Sequence, residues 1–240
     1  MEHGFNWLSL IPFMSENDNV HHYGHVFMAV AIVSVIVVLA FVARIQLMAA
    51  QKREDEGLVP DEKLTLRNFF EIISEKLYGL AVNVMGKHGA EKYFPVVAAL
   101  FLFIFVSNFI GLIPGLLPPT DNLNTTFALG VFVFIYYNYV GLKENGLAYL
   151  KHFAGPILWL APLMLIVEIA SHVFRPISLG LRLRGNIMGD HVVLGIFNDL
   201  LPYVVPAIFY GVGLFVSLVQ AFVFCLMTMV YISLSASHDH

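Results

Sequence analysis

One stretch of the sequence, residues 168–199, places ionisable side chains of both signs in otherwise apolar surroundings. It contains Glu168, His172, Arg175, Arg182, Arg184, Asn186, Asp190 and His191. Side chains of these types can exchange protons or bind a charged substrate. An arginine at the centre of a membrane helix costs about 2.5–3.5 kcal/mol, so three arginines in one such segment require a functional reason. The pattern therefore predicts a functional site.

The spacing of these residues predicts a helix with two polar faces. Three side chains seven residues apart form one stripe, since each step of seven drifts only about 20° around a helix: Glu168, Arg175 and Arg182. Asn186 follows this stripe about 40° further round. Arg184 and His191 are also seven apart, but they fall on nearly the opposite side from Arg182. Such a helix must lie between two polar environments.

The composition indicates a protein whose main solvent is lipid. Hydrophobic residues make up 58% of the chain, charged residues only 12%, and the mean hydropathy is +0.77. Five stretches contain no Asp, Glu, Lys or Arg: 19–43, 93–120, 122–142, 152–167 and 203–238. Most are long enough to cross about 30 Å of hydrocarbon as a helix. Because they lack alternating polarity, they fit helices better than barrel strands.

We therefore predict an all-α polytopic membrane protein with about five transmembrane helices, forming a single membrane domain over residues 1–240. A continuous helix over 156–197 would be roughly 60 Å long, twice the hydrocarbon thickness, so it must tilt or break. Pro162 and Pro176 could kink it. The last run, 203–235, should be its antiparallel partner, joined near 198–202. These two long tilted helices form a hairpin over residues 156–236.

Basic residues predict the orientation of the chain. Lys and Arg are absent before Arg44, and eight of them lie between Arg44 and Lys92. The positive-inside rule places the loop 44–93 in the cytoplasm, with the N-terminal segment 1–25 outside and the C-terminus in the cytoplasm. Within this loop, residues 64–84 predict an amphipathic helix lying on the membrane surface or on a partner. The alternative is a solvated helix that connects two spans.

Residues 176–186, with the sequence PISLGLRLRGN, resemble the signature of the a subunit of F-type rotary ATP synthases. An arginine followed four residues later by an asparagine is the hallmark of that family. The resemblance extends to residues 108–115, 119–124 and 220–231, and upstream to Glu168. It covers roughly residues 60–235, and the combination is far more specific than any one motif.

The resemblance implies a fixed membrane subunit that carries protons to and from a rotating ring of c subunits. Arg182 corresponds to the essential arginine that faces the ring, and Asn186 and Gln220 would orient and hydrate its guanidinium. The implied proton path consists of Glu168, Ser171 and His172, together with Asp190 and His191 in the entrance half-channel. Because arginine stays protonated, it favours the ionised form of a passing ring carboxylate. Protons must therefore use two half-channels on opposite sides of Arg182.

The same resemblance implies a bacterial inner-membrane protein without cofactor, metal or catalytic activity of its own. ATP chemistry would belong to the soluble head of the complex. The expected partners are the c ring, the b subunits of the peripheral stalk and lipid.

A net charge of −4 does not suggest nucleic-acid binding. The first 25 residues lack the basic region of a signal peptide, so we expect Met1 to start the mature chain.

The sequence departs from its family at two positions. Members often carry a histidine at position 213 and an acidic residue at position 191, or the reverse, whereas this chain has Gly213 and places Asp190 next to His191. The relay pair is thus expected on one helix. Arg184 occupies a position where apolar or aromatic residues are commoner, and it could pair with Asp190 or reach lipid headgroups. Arg175 could anchor the helix, balance a carboxylate or take part in transfer.

Other classes of membrane protein could also carry these intramembrane charges. A secondary transporter would bind its substrate with intramembrane Glu and Arg, although such proteins usually show internal repeats and this sequence shows none. A membrane enzyme could hold a metal with His172, Asp190 and His191, but no HExxH-type spacing is present. A purely structural anchor would have no use for three arginines.

Other conspicuous side chains have simpler interpretations. The cluster of His21, His22 and His25 has spacing compatible with a metal site, but a surface role near the proton entrance is expected instead. Cys225 lies in an apolar run and is expected to be a small core residue. Aromatic stripes are expected to face lipid or to pack, among them Phe132, Phe134, Tyr136 and Tyr137.

Overall fold

The computed structural model describes residues 19–51, 66–113, 115–146, 149, 161–200 and 204–236. These residues form five long helices and one 3-10 turn, with no strand among them: α1 Asn19–Gln51, α2 Leu66–Gly111, the turn Pro119–Asp121, α3 Leu123–Asn145, α4 Ala161–Leu200 and α5 Val204–Ala236. All five helices contain a segment long and apolar enough to cross a membrane. The predicted all-α polytopic fold is thereby confirmed. Residues 1–18, 52–65 and 156–160 of the predicted segments lie outside the described residues.

The core is built by four of the five helices. α2 packs mainly on α5, and α3 packs mainly on α4, while α5 also contacts α3 and α4. Fully buried side chains at their contacts include Val97, Ile104, Leu183 and Met229. α1 contacts α2 and the 3-10 turn, and most of its apolar side chains are exposed. The helix that carries the ionisable side chains, α4, therefore lies between α3 and α5.

Glycines bring α3 and α4 into direct backbone contact. A Cβ atom at Gly130 would collide with the carbonyl oxygen of Pro176, and one at Gly180 would lie 3.1 Å from the carbonyl oxygen of Thr126. Small residues permit such an approach in membrane proteins, where helix association depends on close packing. Although Pro176 has no N–H group, α4 continues through it without interruption. This contact sets the position of α3 beside the middle of α4.

The predicted amphipathic helix over 64–84 forms the first part of α2. A break follows at Gly86, whose φ of 73° lies in the left-handed region that suits glycine. Leu77 and Ala81 are buried in the core, and the Ser233 hydroxyl donates to the Val84 carbonyl at 3.3 Å. One face of this segment therefore packs on α5 of the same chain.

The predicted long hairpin corresponds to α4 and α5, of 40 and 33 residues. α4 ends at Leu200 and α5 begins at Val204, close to the predicted junction at 198–202. At the 1.5 Å rise of a helix, α4 is roughly 60 Å long. Within the charge-free stretch 93–120, α2 ends at Gly111 and the 3-10 turn begins at Pro119.

Both ends of α3 are capped. Asn122 precedes the helix, and its side-chain oxygen accepts a hydrogen bond from the Asn124 N–H at 2.9 Å. Gly146 ends the helix at a φ of 55°, and its N–H donates to the Leu142 carbonyl at 2.9 Å. We call the two ends of the bundle the Pro119 end and the Gly146 end, after the turns found there.

Candidate functional site

Arg182 lies near the middle of the apolar part of α4, which runs from Leu163 to Phe197. Its side chain is exposed, whereas the neighbouring Leu183 is completely buried in the core. The guanidinium is thus directed away from the other helices of this chain. A charge at this depth is costly unless a polar group or a partner faces it. The open side of α4 must therefore meet something other than lipid chains alone.

Two glycines extend the exposed face of Arg182 by one and two turns. Gly185 and Gly189 are exposed, and a Cβ atom added at either would meet nothing within 4 Å. The packing of this chain therefore does not require glycine at these positions. A smooth surface beside Arg182 suits the close approach of another helix.

An amide pair joins α4 to α5 one turn from Arg182. The Asn186 Nδ2 group donates to the Gln220 Oε1 atom at 2.6 Å, and Gln220 is only 5% exposed. A buried side-chain amide needs partners of this kind. The pair fixes two polar side chains about one helical turn along α4 from Arg182.

Towards the Gly146 end, Glu168 and His172 form a second polar group. The His172 Nε2 atom lies 3.3 Å from the Glu168 Oε1 atom, and the Nδ1 atom lies 2.9 Å from the Tyr137 hydroxyl. Ser171, which is partly buried, precedes the histidine on α4. Glu168 stands fourteen residues before Arg182, a rise of roughly 21 Å along the helix.

Arg175 lies against aromatic rings. Its guanidinium carbon is 5.9 Å from the centroid of the Tyr137 ring and 5.2 Å from that of the Tyr231 ring. Both distances fit cation–π contacts, which tie α4 to α3 and α5. This geometry supports the predicted anchoring role for Arg175. The Glu168 carboxylate contacts His172.

Towards the Pro119 end, Asp190 and His191 line a cavity of about 440 Å³ between α2, α4 and α5. Further polar side chains in its wall are Asn108, Tyr210 and Ser217. Asn108 is buried, and its Oδ1 atom accepts from the Thr120 hydroxyl at 3.0 Å. Asp190 follows Arg182 by eight residues, a rise of roughly 12 Å. The cavity therefore brings polar groups from three helices near one side of Arg182.

Tyr210 and Ser217 were missed by the sequence reasoning, and Asn108 entered it only through the family resemblance. Ser217 stands three residues before Gln220 on α5, so both lie on one helical face. That spacing is a signal that could have identified Ser217. Tyr210 stands seven residues before Ser217, so the same helical periodicity marks it as well.

Gly213, where the family often has a histidine, is buried beside the same cavity. A Cβ atom there would lie 2.7 Å from the Leu112 Cδ2 atom, and Leu112 belongs to the cavity wall. A larger side chain at position 213 would therefore meet this wall. Because position 213 is a glycine, the neighbouring ionisable side chains of this cavity wall, Asp190 and His191, both come from α4.

Arg184 faces a different cavity from Asp190. This second cavity, of about 390 Å³, is also lined by His25, Asp121 and Asn124. Among the residues that the structure describes, the buried Nε atom of Arg184 and the buried Nδ1 atom of His25 find no hydrogen-bond partner. His21 and His22 lie in the first turn of α1. The structure thus separates Arg184 from Asp190, one of the two partners expected for it.

The side chains of the alternative metal site are not brought together. His172 belongs to the group towards the Gly146 end, while Asp190 and His191 line the cavity towards the Pro119 end. Within the described ranges, no three His, Cys, Asp or Glu side chains cluster in a metal-binding arrangement. Cys225 is buried in the core as expected, and its thiol points to the Val97 carbonyl at 3.6 Å.

Comparisons with known proteins identify the family of this chain. Residues 5–233 match the family described as ATP synthase A chain. ATP synthase subunit a of Bdellovibrio bacteriovorus is 47% identical over 237 residues, which cover 98% of this chain and 99% of that protein. ATP synthase subunit a of Geobacter sp. is 51% identical over 175 residues, covering 73% and 76% of the two chains. The chain therefore belongs to the ATP synthase A chain family.

Proposed function

We propose that this chain is the proton-translocating membrane subunit of an F-type ATP synthase, with Arg182 as the barrier between two half-channels. The observation that carries the proposal is the order of polar groups along α4. Arg182 is exposed near the middle of its apolar segment, with one polar group towards each end. A helix organised in this way can serve two separate aqueous paths and keep them apart.

The entrance half-channel is assigned to the cavity that holds Asp190 and His191. Its volume of about 440 Å³ and its polar wall suit ordered water, which needs several hydrogen-bond partners. A histidine exchanges protons readily near neutral pH, and the adjacent carboxylate offers a second exchange site. Asn108 and Ser217 supply further hydrogen-bonding groups along the wall. Protons would pass from this cavity towards the open face of α4.

The exit half-channel is assigned to Glu168, Ser171 and His172. The carboxylate of Glu168 is partly exposed, whereas His172 is buried behind it. Glu168 can therefore contact water while its other side is held by the imidazole. By the distribution of basic residues this end faces the cytoplasm.

Arg182 prevents protons from passing directly between the two half-channels. Its guanidinium is permanently charged, so a carboxylic acid of a partner that approaches it is favoured in the ionised form. A carboxylate must therefore lose its proton on one side of Arg182 and gain one on the other. The Asn186–Gln220 pair supports the guanidinium, and each proton that crosses yields about 2.3 kcal/mol per 100 mV.

The open face of α4 is proposed to meet a rotating ring of c subunits. Gly185 and Gly189 leave room beside Arg182, and Leu181, Met188 and Val192 form an exposed apolar border. Further partners are the b subunits of the peripheral stalk and membrane lipid. The chain performs no ATP chemistry itself, needs no cofactor, and lies in a bacterial inner membrane with its C-terminus in the cytoplasm.

The test compares Arg182→Ala with the matched control Arg184→Ala in vesicles that carry the assembled complex. Both variants remove one positive charge from α4, but the control residue faces the His25 cavity. We expect Arg182→Ala to abolish ATP-driven proton pumping and coupled synthesis, while Arg184→Ala retains both. Normal coupling in an assembled Arg182→Ala complex would refute the barrier role and favour a transporter.

A further inference from the structure

We propose that Tyr137 of α3 is a positioning residue for proton exchange at Glu168, acting through His172. The inference rests on the proposed function, because it takes Glu168 as part of the exit half-channel. It adds a residue on a second helix that the family signature does not include. Tyr137 contacts the imidazole of His172, which in turn contacts the Glu168 carboxylate.

The three side chains form a continuous series from α3 to α4. The Tyr137 hydroxyl lies 2.9 Å from the His172 Nδ1 atom, and the His172 Nε2 atom lies 3.3 Å from the Glu168 Oε1 atom. Tyr137 is 1% exposed, His172 is 7% exposed, and Glu168 is partly exposed. The series therefore runs from a fully buried hydroxyl to a carboxylate at the surface of the bundle.

The groups that face the two ring nitrogens of His172 favour one tautomer of the neutral imidazole. An ionised carboxylate only accepts hydrogen bonds, so the Nε2 atom facing Glu168 must carry the hydrogen. The Nδ1 atom is then an acceptor and requires a donor. The Tyr137 hydroxyl is placed to be that donor. Tyr137 thus keeps the imidazole in the form that donates to Glu168.

The surroundings of Tyr137 hold its hydroxyl in place. The ring lies 5.7 Å from those of His172 and Tyr231, and the Arg175 guanidinium lies over it. α3 itself is locked against α4 where Gly130 meets the carbonyl of Pro176. Because ring and helix are both restrained, the hydroxyl presents a fixed donor to His172. Orientation of this kind is how outer residues commonly control a reactive group.

The first experiment removes only the hydroxyl. Tyr137→Phe keeps the ring beside Arg175 and Tyr231 and removes the hydroxyl, which is within hydrogen-bonding reach of the Arg175 guanidinium as well as of His172. We expect it to lower ATP-driven proton pumping about 3- to 10-fold, the range of one hydrogen bond. Tyr136→Phe is the matched control, because that ring stacks on Phe132 at 6.0 Å and its hydroxyl lies outside this series. The control should pump at the wild-type rate.

A double-variant cycle tests whether Tyr137 acts through His172. If it does, Tyr137→Phe causes no further loss of pumping in a His172→Leu background, since interacting residues are not additive. A general packing role for the hydroxyl would instead give multiplied losses. Multiplied losses would overturn the proposal.

A spectroscopic measurement separates this inference from the proposed function. The complex is labelled with ¹⁵N-histidine and studied by NMR. Signals that are present in the wild type and missing in His172→Leu are assigned to His172. We expect them to show a protonated Nε2 atom in the wild type and a mixture of tautomers in Tyr137→Phe. An unchanged tautomer would overturn the role of Tyr137 even if pumping were reduced. If Arg182→Ala retained coupled pumping, the proposed function would be refuted, but the tautomer measurement would still test the role of Tyr137.

Discussion

The backbone contact between α3 and α4 makes Gly130→Ala a sharp test of the packing described above. The added Cβ would collide with the carbonyl oxygen of Pro176, an atom of the backbone that cannot rotate away. Overpacking of this kind costs about 1–3 kcal/mol, and we expect the upper half of that range because α3 must shift as a whole. Alanine recovers up to about 1 kcal/mol through its higher helix propensity. A net loss of about 1–2 kcal/mol remains.

The assay is the free energy of unfolding of the purified chain in mixed micelles, measured by denaturing-detergent titration and helix content. Gly79→Ala in α2 is the matched control, since a Cβ atom there meets nothing within 4 Å. We expect the control to equal or exceed the wild type in stability. Equal stability of Gly130→Ala and Gly79→Ala would refute the close approach of the two helices.

Two further variants test the open side of the site. Gly185→Leu fills space that none of the described residues occupies, so we expect normal membrane insertion but loss of coupled proton pumping, measured in vesicles. Wild-type pumping in that variant would show that no partner approaches this face closely. Gln220→Leu leaves the Asn186 amide without its partner at 2.6 Å, and we expect about a tenfold loss of pumping, as for an unsatisfied polar group. Gln220→Glu, which retains an acceptor oxygen, should keep more activity than Gln220→Leu, and the reverse order would contradict the hydrogen-bonding role.

Much of the fold follows from hydrophobic patterning. Four of the five charge-free stretches lie mainly within α1, α2, α3 and α5, whereas the stretch 152–167 overlaps α4 only at residues 161–167. Apolar segments in lipid form helices because their backbone amides must be satisfied within the segment. The length argument also predicted the hairpin of α4 and α5 and its junction. Residues 112–118 include Pro114, Gly115 and Pro118, helix-breaking residues that agree with the end of α2 at Gly111.

The candidate site was also predicted only in part from the sequence. Positions on α4 follow from helical periodicity, so the order of Glu168, Arg182 and Asp190 could be read directly from the spacing. The residues on other helices that contact this site could not be predicted, since they depend on which helix faces pack together. Arg184 illustrates this: its predicted position opposite Arg182 did not reveal that His25 of α1 would share its cavity.

Tyr137 shows why an aromatic stripe in the sequence hides a buried polar contact. Sequence reasoning assigned it to lipid contact or packing, because residues 132–137 are almost all large and apolar and offer no polar contrast. Its burial follows a helical period that includes Gly130, Val133 and Val140, the face of α3 that packs inward. Gly130 is the informative member, since a glycine in a membrane helix often marks a close helix contact. A tyrosine seven residues after such a glycine lies on the same face two turns further along. Its hydroxyl must then find a partner within the bundle, and His172 on the facing helix provides one.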